Sequence, residues 1–369
     1  MGRRQGTLEN LAVTAEFWRG RRVFVTGHTG FKGAWLSLWL ARMGAVVTGF
    51  SLPPRSRPSL FDLAQVADGV TSVIADVNDQ PALERALAAN QAEVVFHLAA
   101  QALVRESYQD PVRTFATNVG GTVTLLDSVR RTASVRAVVV VTSDKCYDNE
   151  ERLQGYREND RLGGRDPYSA SKGCAEIAAR SMQMSFFAPF VADGHPARIA
   201  TVRAGNVIGG GDWSGDRLVP DIVRGCLGST GEVRLRHPHA VRPWQHVLDP
   251  LGAYLDFAER LATAPDGIDE AWNIGPDVGE ERAVLHVAQA MVAALGTGRV
   301  LCEAGNGPHE ANLLQLDCEK ARTRLGWRPR LKFEEAVKFT ADWYAAWQRG
   351  REMLAFTRAQ IAAFEAMAR

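Results

Sequence analysis

Residues 23–33 read VFVTGHTGFKG. A short apolar run that gives way to Gly27, Gly30 and Gly33 predicts a buried strand turning directly into a helix, whose periodic apolar face runs from Phe31 to Met43. Glycines at this spacing let the turn close, and they let backbone approach a pyrophosphate at the positive end of the helix. Gly27, His28, Gly30, Phe31, Lys32 and Gly33 are therefore the first candidate cofactor-binding residues, and a dinucleotide is the expected ligand.

Outward from this turn, apolar runs alternate with helical periodicity. AVVTGF, VTSVIAD, EVVFHLAA and RAVVVVTSD follow in order, separated by Phe31 to Met43, LERALAAN and the segment Pro111 to Arg130. Near-continuous β-branched runs between amphipathic helices mean parallel strands covered on both faces, a doubly wound α/β sheet of Rossmann type. The rhythm loosens after IATVRAGNVIGGGDW, and the last third is mostly helical. The expected division is an extension at 1–16, a dinucleotide-binding domain at 17–209, a mainly substrate-binding α/β domain at 210–347 with segments returning to the first, and a helical tail at 348–369. The cleft belongs at the carboxyl ends of the strands.

The second strand ends in Ser51, where an acid would grip the adenine ribose, and Lys32 and Arg55 are near enough to tolerate a 2′-phosphate. NAD is the expected cofactor and NADP the alternative. Asp76, followed by Val77, ends the third strand and is placed to reach the adenine edge, with a turn cap as the plainer reading.

DPYSASKGCAE sets Tyr168 and Lys172 four residues apart on one helix face, so an ammonium can stabilise the phenolate of a tyrosine that otherwise titrates near 10. With Thr142 and Ser143 at the end of a preceding strand, the pattern points to oxidation of an alcohol, the phenolate taking the proton while carbon gives up hydride. Thr142 is the hydroxyl grouped with Tyr168 and Lys172. TSDKCYDN, residues 142–149, then sets Asp144 and Lys145 side by side at a buried strand end. Charges there are costly unless they face a cleft, and adjacent strand residues point to opposite faces unless the backbone turns.

Composition narrows the function further. Lys plus Arg number 43 against 42 Asp plus Glu, which leaves no basic field for nucleic acid. No stretch has the length of a membrane span or the apolar core of a secretory signal, so a cytoplasmic protein is expected. Cys146, Cys174, Cys226, Cys302 and Cys318 are dispersed and suit reduced thiols. His237 and His239 lack a further ligand at metal spacing, and no metal is expected.

VTGHTGFKG, VFHLAAQ, TSDK and YSASK together resemble the extended short-chain dehydrogenase/reductases. GYREND, VRAGNVIGGGDW, RPWQHVLDPL and LDCEKARTRLGW extend the likeness, from Phe17 to about Trp347, to the CDP-glucose 4,6-dehydratase family. The resemblance implies a lyase that oxidises CDP-glucose at C4, eliminates water across C5 and C6, and returns the hydride to C6. It implies a place in deoxysugar biosynthesis of the kind that supplies lipopolysaccharide O-antigen. In that reading Asp144 protonates the departing hydroxyl and Lys145 takes the C5 proton, the division between them being open. Ala99, Ala100, Gln101 and Asn118 fall on the nicotinamide side, and Asn206, Arg217, Arg242 and His309, with Glu310 beside it, on the sugar-nucleotide side. Guanidinium forks suit a diphosphate, though each arginine is equally explained as a rim salt bridge. A homodimer or homotetramer, paired through Pro111 to Arg130 and Tyr168 to Phe187, is implied as well. Two rivals stay open: a sugar-nucleotide 4-epimerase or reductase, which has no need of Asp144 and Lys145, and a dinucleotide-sensing protein without catalysis.

Overall fold

A computed structural model describes residues 15–263, 267–303 and 313–367. Seven parallel strands form the central sheet: Arg22–Thr26 (β1), Val46–Ser51 (β2), Thr71–Ile74 (β3), Val94–His97 (β4), Ala137–Val141 (β5), Arg198–Ala204 (β6) and Ala271–Ile274 (β7). Their spatial order is β7-β6-β5-β4-β1-β2-β3. The order reverses between β1 and β4, and a doubly wound sheet opens its binding crevice at that point. Val94, Val95 and Phe96 of β4 and Ala137 to Val140 of β5 are buried because helices cover both faces.

On one face lie Phe31–Arg42 (α1) and Leu248–Thr263 (α5), whose Trp35, Trp39, Leu251 and Leu255 share one core with Val23 and Val139. On the other lie Gln80–Asn90 (α2), Gly121–Val129 (α3) and Pro167–Phe186 (α4), where Leu83, Leu87, Leu125, Leu126 and Ala179 pack on Phe24 and Val138. The expected helix Pro111 to Arg130 is interrupted by a single π-helical turn, Ala116–Gly120. Such turns are common at functional sites; this one carries Asn118.

Beyond residue 210 the chain is divided. It returns to the sheet as α5 and β7, and on either side of these excursions small pairs form, one of them reaching back before residue 210: Val207–Ile208 with Gln245–His246, Glu232–Leu235 with Arg299–Cys302, and Val241–Arg242 with Arg282–Ala283. The last helices are Phe333–Gln348 (α6) and Met353–Glu365 (α7). The latter docks on α1, where Trp39 Nε1 donates to Glu365 Oε1 at 2.8 Å and Arg42 pairs with Glu365 at 3.2 Å.

The glycine turn is held by backbone contact. Gly27 has φ +79°, and a Cβ there would meet the Ala99 nitrogen at 2.8 Å; a Cβ on Gly33 would lie 2.1 Å from the Gly27 carbonyl oxygen. Gly33→Ala therefore has to push α1 off the turn. The expected result is a loss of about 1–3 kcal/mol in stability together with dinucleotide affinity. Thermal melting with and without NAD reads both, and an unshifted melt with normal NAD binding would contradict it.

Candidate active site

A cleft of about 620 Å³ opens at the carboxyl ends of the strands. Its floor is the glycine turn. Gly30 caps α1 with extended backbone and no side-chain hydrogen bond, so the N–H groups of the first helical turn face the cleft without a capping side chain. Gly27, Gly30, Phe31, Lys32, Gly33, Asp76, Val77, Ala99 and Ala100 all line it. Asp76 also caps its own turn, accepting from Asn78 N at 2.9 Å and Asn78 Nδ2 at 3.1 Å.

Three of the expected cofactor residues lie behind the wall. The His28 ring is fully buried, with Nε2 2.7 Å from Ser72 Oγ, in a space that exists because residue 49 is glycine: a Cβ there would sit 2.2 Å from the ring. Burial lowers the imidazole to about 4, so it is neutral and turned away from the pyrophosphate position. Gln101 and Asn118 form a clamp. Asn118 Oδ1 accepts from Gln101 N at 2.8 Å, its Nδ2 donates to Gln101 O at 3.0 Å and to Ser171 Oγ at 2.8 Å, and Gln101 Nε2 donates to Thr114 Oγ1 at 3.0 Å. They fix the loop after β4, which presents Ala99 and Ala100.

The opposite wall starts where β5 ends. Thr142 continues the ladder, its N–H donating to Val202 O at 3.0 Å. The chain then bends into a short 3₁₀ turn, Asp144–Cys146, with Ser143 as its cap, accepting from Lys145 N at 3.2 Å. That bend lets both Asp144 and Lys145 face the cleft despite being adjacent. Asp144 is 2 % exposed; one oxygen accepts from Ser143 Oγ at 3.0 Å and the other, Oδ2, has no partner. Burial pushes this carboxyl up, against the opposing pull of Lys145, Ser143 and Arg242.

Thr142 and Ser143 both line the cleft, and their hydroxyls take different partners. Thr142 Oγ1 is bound to Glu176, beneath the sheet end, while the hydroxyl that meets Tyr168 belongs to Ser143. The pleat accounts for it: Thr142 still follows the strand's phase, and Ser143, the next residue, points the other way. Tyr168 and Lys172 sit one turn apart on α4, both buried and both lining the cleft. Their expected mutual stabilisation is not what dominates. Burial pushes the Tyr168 phenol up to about 12, with Ser143 and Arg217 pulling the other way. Burial likewise lowers the Lys172 ammonium to about 8, and its Nζ donates to Val141 O at 3.3 Å.

Lys32 reaches across the cleft floor to Tyr254 Oη at 3.3 Å. Burial first, then the cations of Arg217 and Lys172, bring it to about 7. Asn206, Arg217 and Arg242 line the same cleft. Arg217 pairs with Asp212 at 3.0 Å and Arg242 is buried. Arg234, Arg236 and His237 extend the basic lining. Nine of the 43 Lys and Arg side chains line this cavity, beside five Asp. His309 and Glu310 lie outside the described residues. The five cysteines are free thiols, and no group of metal-ligating side chains occurs among the described residues. No helix there is long and apolar enough to cross a membrane.

A glycine turn at the switch point, facing a Tyr-x-x-x-Lys helix across the crevice, is the arrangement of the extended short-chain dehydrogenase/reductases. A family model described as GDP-mannose 4,6 dehydratase matches residues 24–340, and the chain belongs to that family. It is similar to the CDP-glucose 4,6-dehydratase of Salmonella typhimurium (strain LT2), at 48 % identity over 350 residues, 95 % of this chain and 97 % of that one. Among solved structures it resembles a UDP-glucose 4-epimerase from Thermotoga maritima with UDP-glucose (TM-score 0.76, 22 % identity, covering 88 % of this chain and 99 % of that one). It also resembles a dTDP-glucose 4,6-dehydratase from Bacillus anthracis in complex with NAD (TM-score 0.74, 21 % identity, covering 90 % and 99 %).

Proposed function

We propose that the protein is a NAD-dependent lyase that converts CDP-glucose to CDP-4-keto-6-deoxyglucose and water. The observation that carries this reading is the turn Asp144–Cys146, which brings a buried carboxyl and an amine into the cleft beside Tyr168. Alcohol oxidation alone needs Tyr168, Lys172 and Ser143. Elimination needs a further acid and base, and an epimerase or reductase has no use for them.

The residues present fit a dinucleotide. Gly27, Gly30 and Gly33 leave no side chain over the first turn of α1, and a Cβ at Gly27 or Gly33 would collide with backbone. NAD is favoured over NADP because Ser51 Oγ is engaged with Thr29 Oγ1 at 2.9 Å and Arg55 is paired with Glu106 at 2.5 Å. Ser51 and Arg55 are thus each already held by a protein partner. Bound in this crevice, NAD would supply a hydride store between sugar C4 and C6.

The chain's own groups then divide the proton transfers. Tyr168, with Ser143 at its hydroxyl, takes the C4 hydroxyl proton. Once C4 is a carbonyl, the C5 proton is acidic and Lys145 removes it. Asp144, whose carboxyl burial pushes up, is the acid for the departing C6 hydroxyl. Arg217 and Arg242 anchor the sugar diphosphate, and Asn206 meets the sugar nucleotide.

The chain also presents apolar side chains on the outer faces of α3, α4 and the helix before the π turn: Val112 is 79 % exposed, Val123 37 %, Ile177 59 % and Met184 52 %. They support pairing with a second copy. The cytoplasm is the compartment this reading expects.

Incubation with CDP-glucose and NAD should yield the alkali-induced absorbance of a 4-keto-6-deoxy sugar, with no net reduction of the cofactor. One reduced nicotinamide per sugar would make the protein a simple dehydrogenase. Recovery of a C4 epimer would make it an epimerase. Parallel reactions with dTDP- and GDP-sugars read the base preference.

A further inference from the structure

Beneath the cleft lies a buried polar network that none of these steps uses. Glu176 and Arg203, each 3 % exposed, pair at 2.8 Å. Thr142 Oγ1 donates to one oxygen of Glu176, and Thr201 Oγ1, at 2.7 Å, and Arg203 Nη2 donate to the other. Arg203 Nη1 continues to the Tyr147 hydroxyl at 2.7 Å, which donates to Asn273 Oδ1 at 2.7 Å. The network joins the ends of β5, β6 and β7. It also grips the Asp144–Cys146 turn from both sides, at Thr142 before it and Tyr147 after it. A buried ion pair is a poor source of stability, since apolar packing of the same volume often does as well. Its retention directly under the reaction centre calls for another reason.

Glu176 follows Lys172 by one turn of α4, on the same face. The other groups facing Lys172 are Cys146 from the turn, Lys32 from α1, His97 from β4 and the Val141 carbonyl of β5, with Tyr168 one turn before it on its own helix. Burial holds the Cys146 thiol well above its usual value and lowers His97 to about 3, so both are neutral near pH 7. Glu176 is the carboxylate of this set. We infer that Glu176 is a positioning residue for the reaction centre: through Thr142 it fixes the strand end from which Ser143 and Asp144 project, and it supplies the negative charge that Lys172 faces. The inference rests on the reading of Lys172 as the partner of Tyr168. It accounts for how an amine that burial drives toward neutrality keeps its proton at the working pH.

Competitive acetylation of the full-length protein across a pH series, with the Lys172 peptide followed by mass spectrometry, gives the titration midpoint of that amine without reference to turnover. Glu176→Gln alone strands the Arg203 charge, so the decisive variant is Glu176→Gln combined with Arg203→Met, which removes both charges and keeps the volume. Its Lys172 midpoint should fall by about half a unit or more, the size expected for losing a nearby opposite charge. The alkaline limb of kcat should move down with it. Glu176→Asp keeps the charge, shortens the reach to Thr142, and should hold the midpoint while lowering kcat. A wild-type midpoint in the double variant would make Glu176 only the counterion of Arg203 and overturn the inference; so would a midpoint in Glu176→Asp that falls as far as in the double variant. If the unmodified protein formed no keto sugar from CDP-glucose, the proposed function would fall, and the labelling midpoints would still decide the role of Glu176.

Discussion

Tyr168→Phe should lower kcat by about 10²- to 10⁴-fold, the range attached to a general base, while NAD affinity and thermal stability stay near those of the unmodified protein. The ring is packed and 9 % exposed, so phenylalanine keeps its contacts, and the hydroxyl's neighbour is Ser143 across the turn. The phenol stands high, at about 12, because burial outweighs the favourable hydrogen bond and the Arg217 charge. Tyr168 is therefore a proton donor in the resting site. It becomes an acceptor only as nearby positive charge draws it down; Arg217 does so, and Lys172 lines the same cleft one turn along α4. Loss of the Lys172 proton as pH rises through about 8 should thus depress turnover on the alkaline side. Ser143→Ala should share part of the defect of Tyr168→Phe. Single-turnover kinetics with CDP-glucose measure these effects, and near-normal reduction of bound cofactor in Tyr168→Phe would move the base to another group.

The sheet was legible because its cause is compositional. Runs such as VVFH and AVVVV can be buried on both faces only in a parallel sheet, and the glycine turn marks which strand begins it. Placement of the cleft followed from topology. Side-chain direction at the strand end did not, since it depends on where the pleat stops. Thr142 still pairs with β6, and one residue of phase decides that Ser143, and not Thr142, meets Tyr168. For His28 the missing information was elsewhere in the chain: Gly49, on the neighbouring strand, opens the space into which the ring turns. Asn118 lies in the π turn, and nothing in the apolar spacing of the Pro111 to Arg130 segment signals the extra residue that aims it at Gln101. The Glu176 network was illegible for a related reason. Its members come from β5, β6, β7 and α4, and only the folded sheet order makes them neighbours.

Lys145→Ala and Asp144→Asn should divide the second half of the reaction between them. If Lys145 removes the C5 proton, Lys145→Ala leaves C4 oxidation largely intact, because that step depends on Tyr168, Lys172 and Ser143. A transient absorbance of reduced nicotinamide should then build up in a single turnover. In deuterated water the recovered sugar should carry no deuterium at C5, whereas the unmodified protein should place solvent hydrogen there. Asp144→Asn keeps the size of the side chain and its contact with Ser143, but it removes the titratable carboxyl that burial pushes up. C5 exchange should persist in that variant while release of water slows by about 10² or more, the worth of a lost general acid. The two outcomes are separable because Asp144 and Lys145 enter the cleft from one rigid 3₁₀ turn, yet only Asp144 is sealed from solvent. Asp144, sealed from solvent with its carboxyl pushed up by burial, is placed to donate to a leaving hydroxyl, and Lys145, half-buried beside it, to meet the C5 hydrogen. Normal C5 exchange in Lys145→Ala would assign that proton to Asp144 or to a water, and would reduce Lys145 to a charge that binds phosphate.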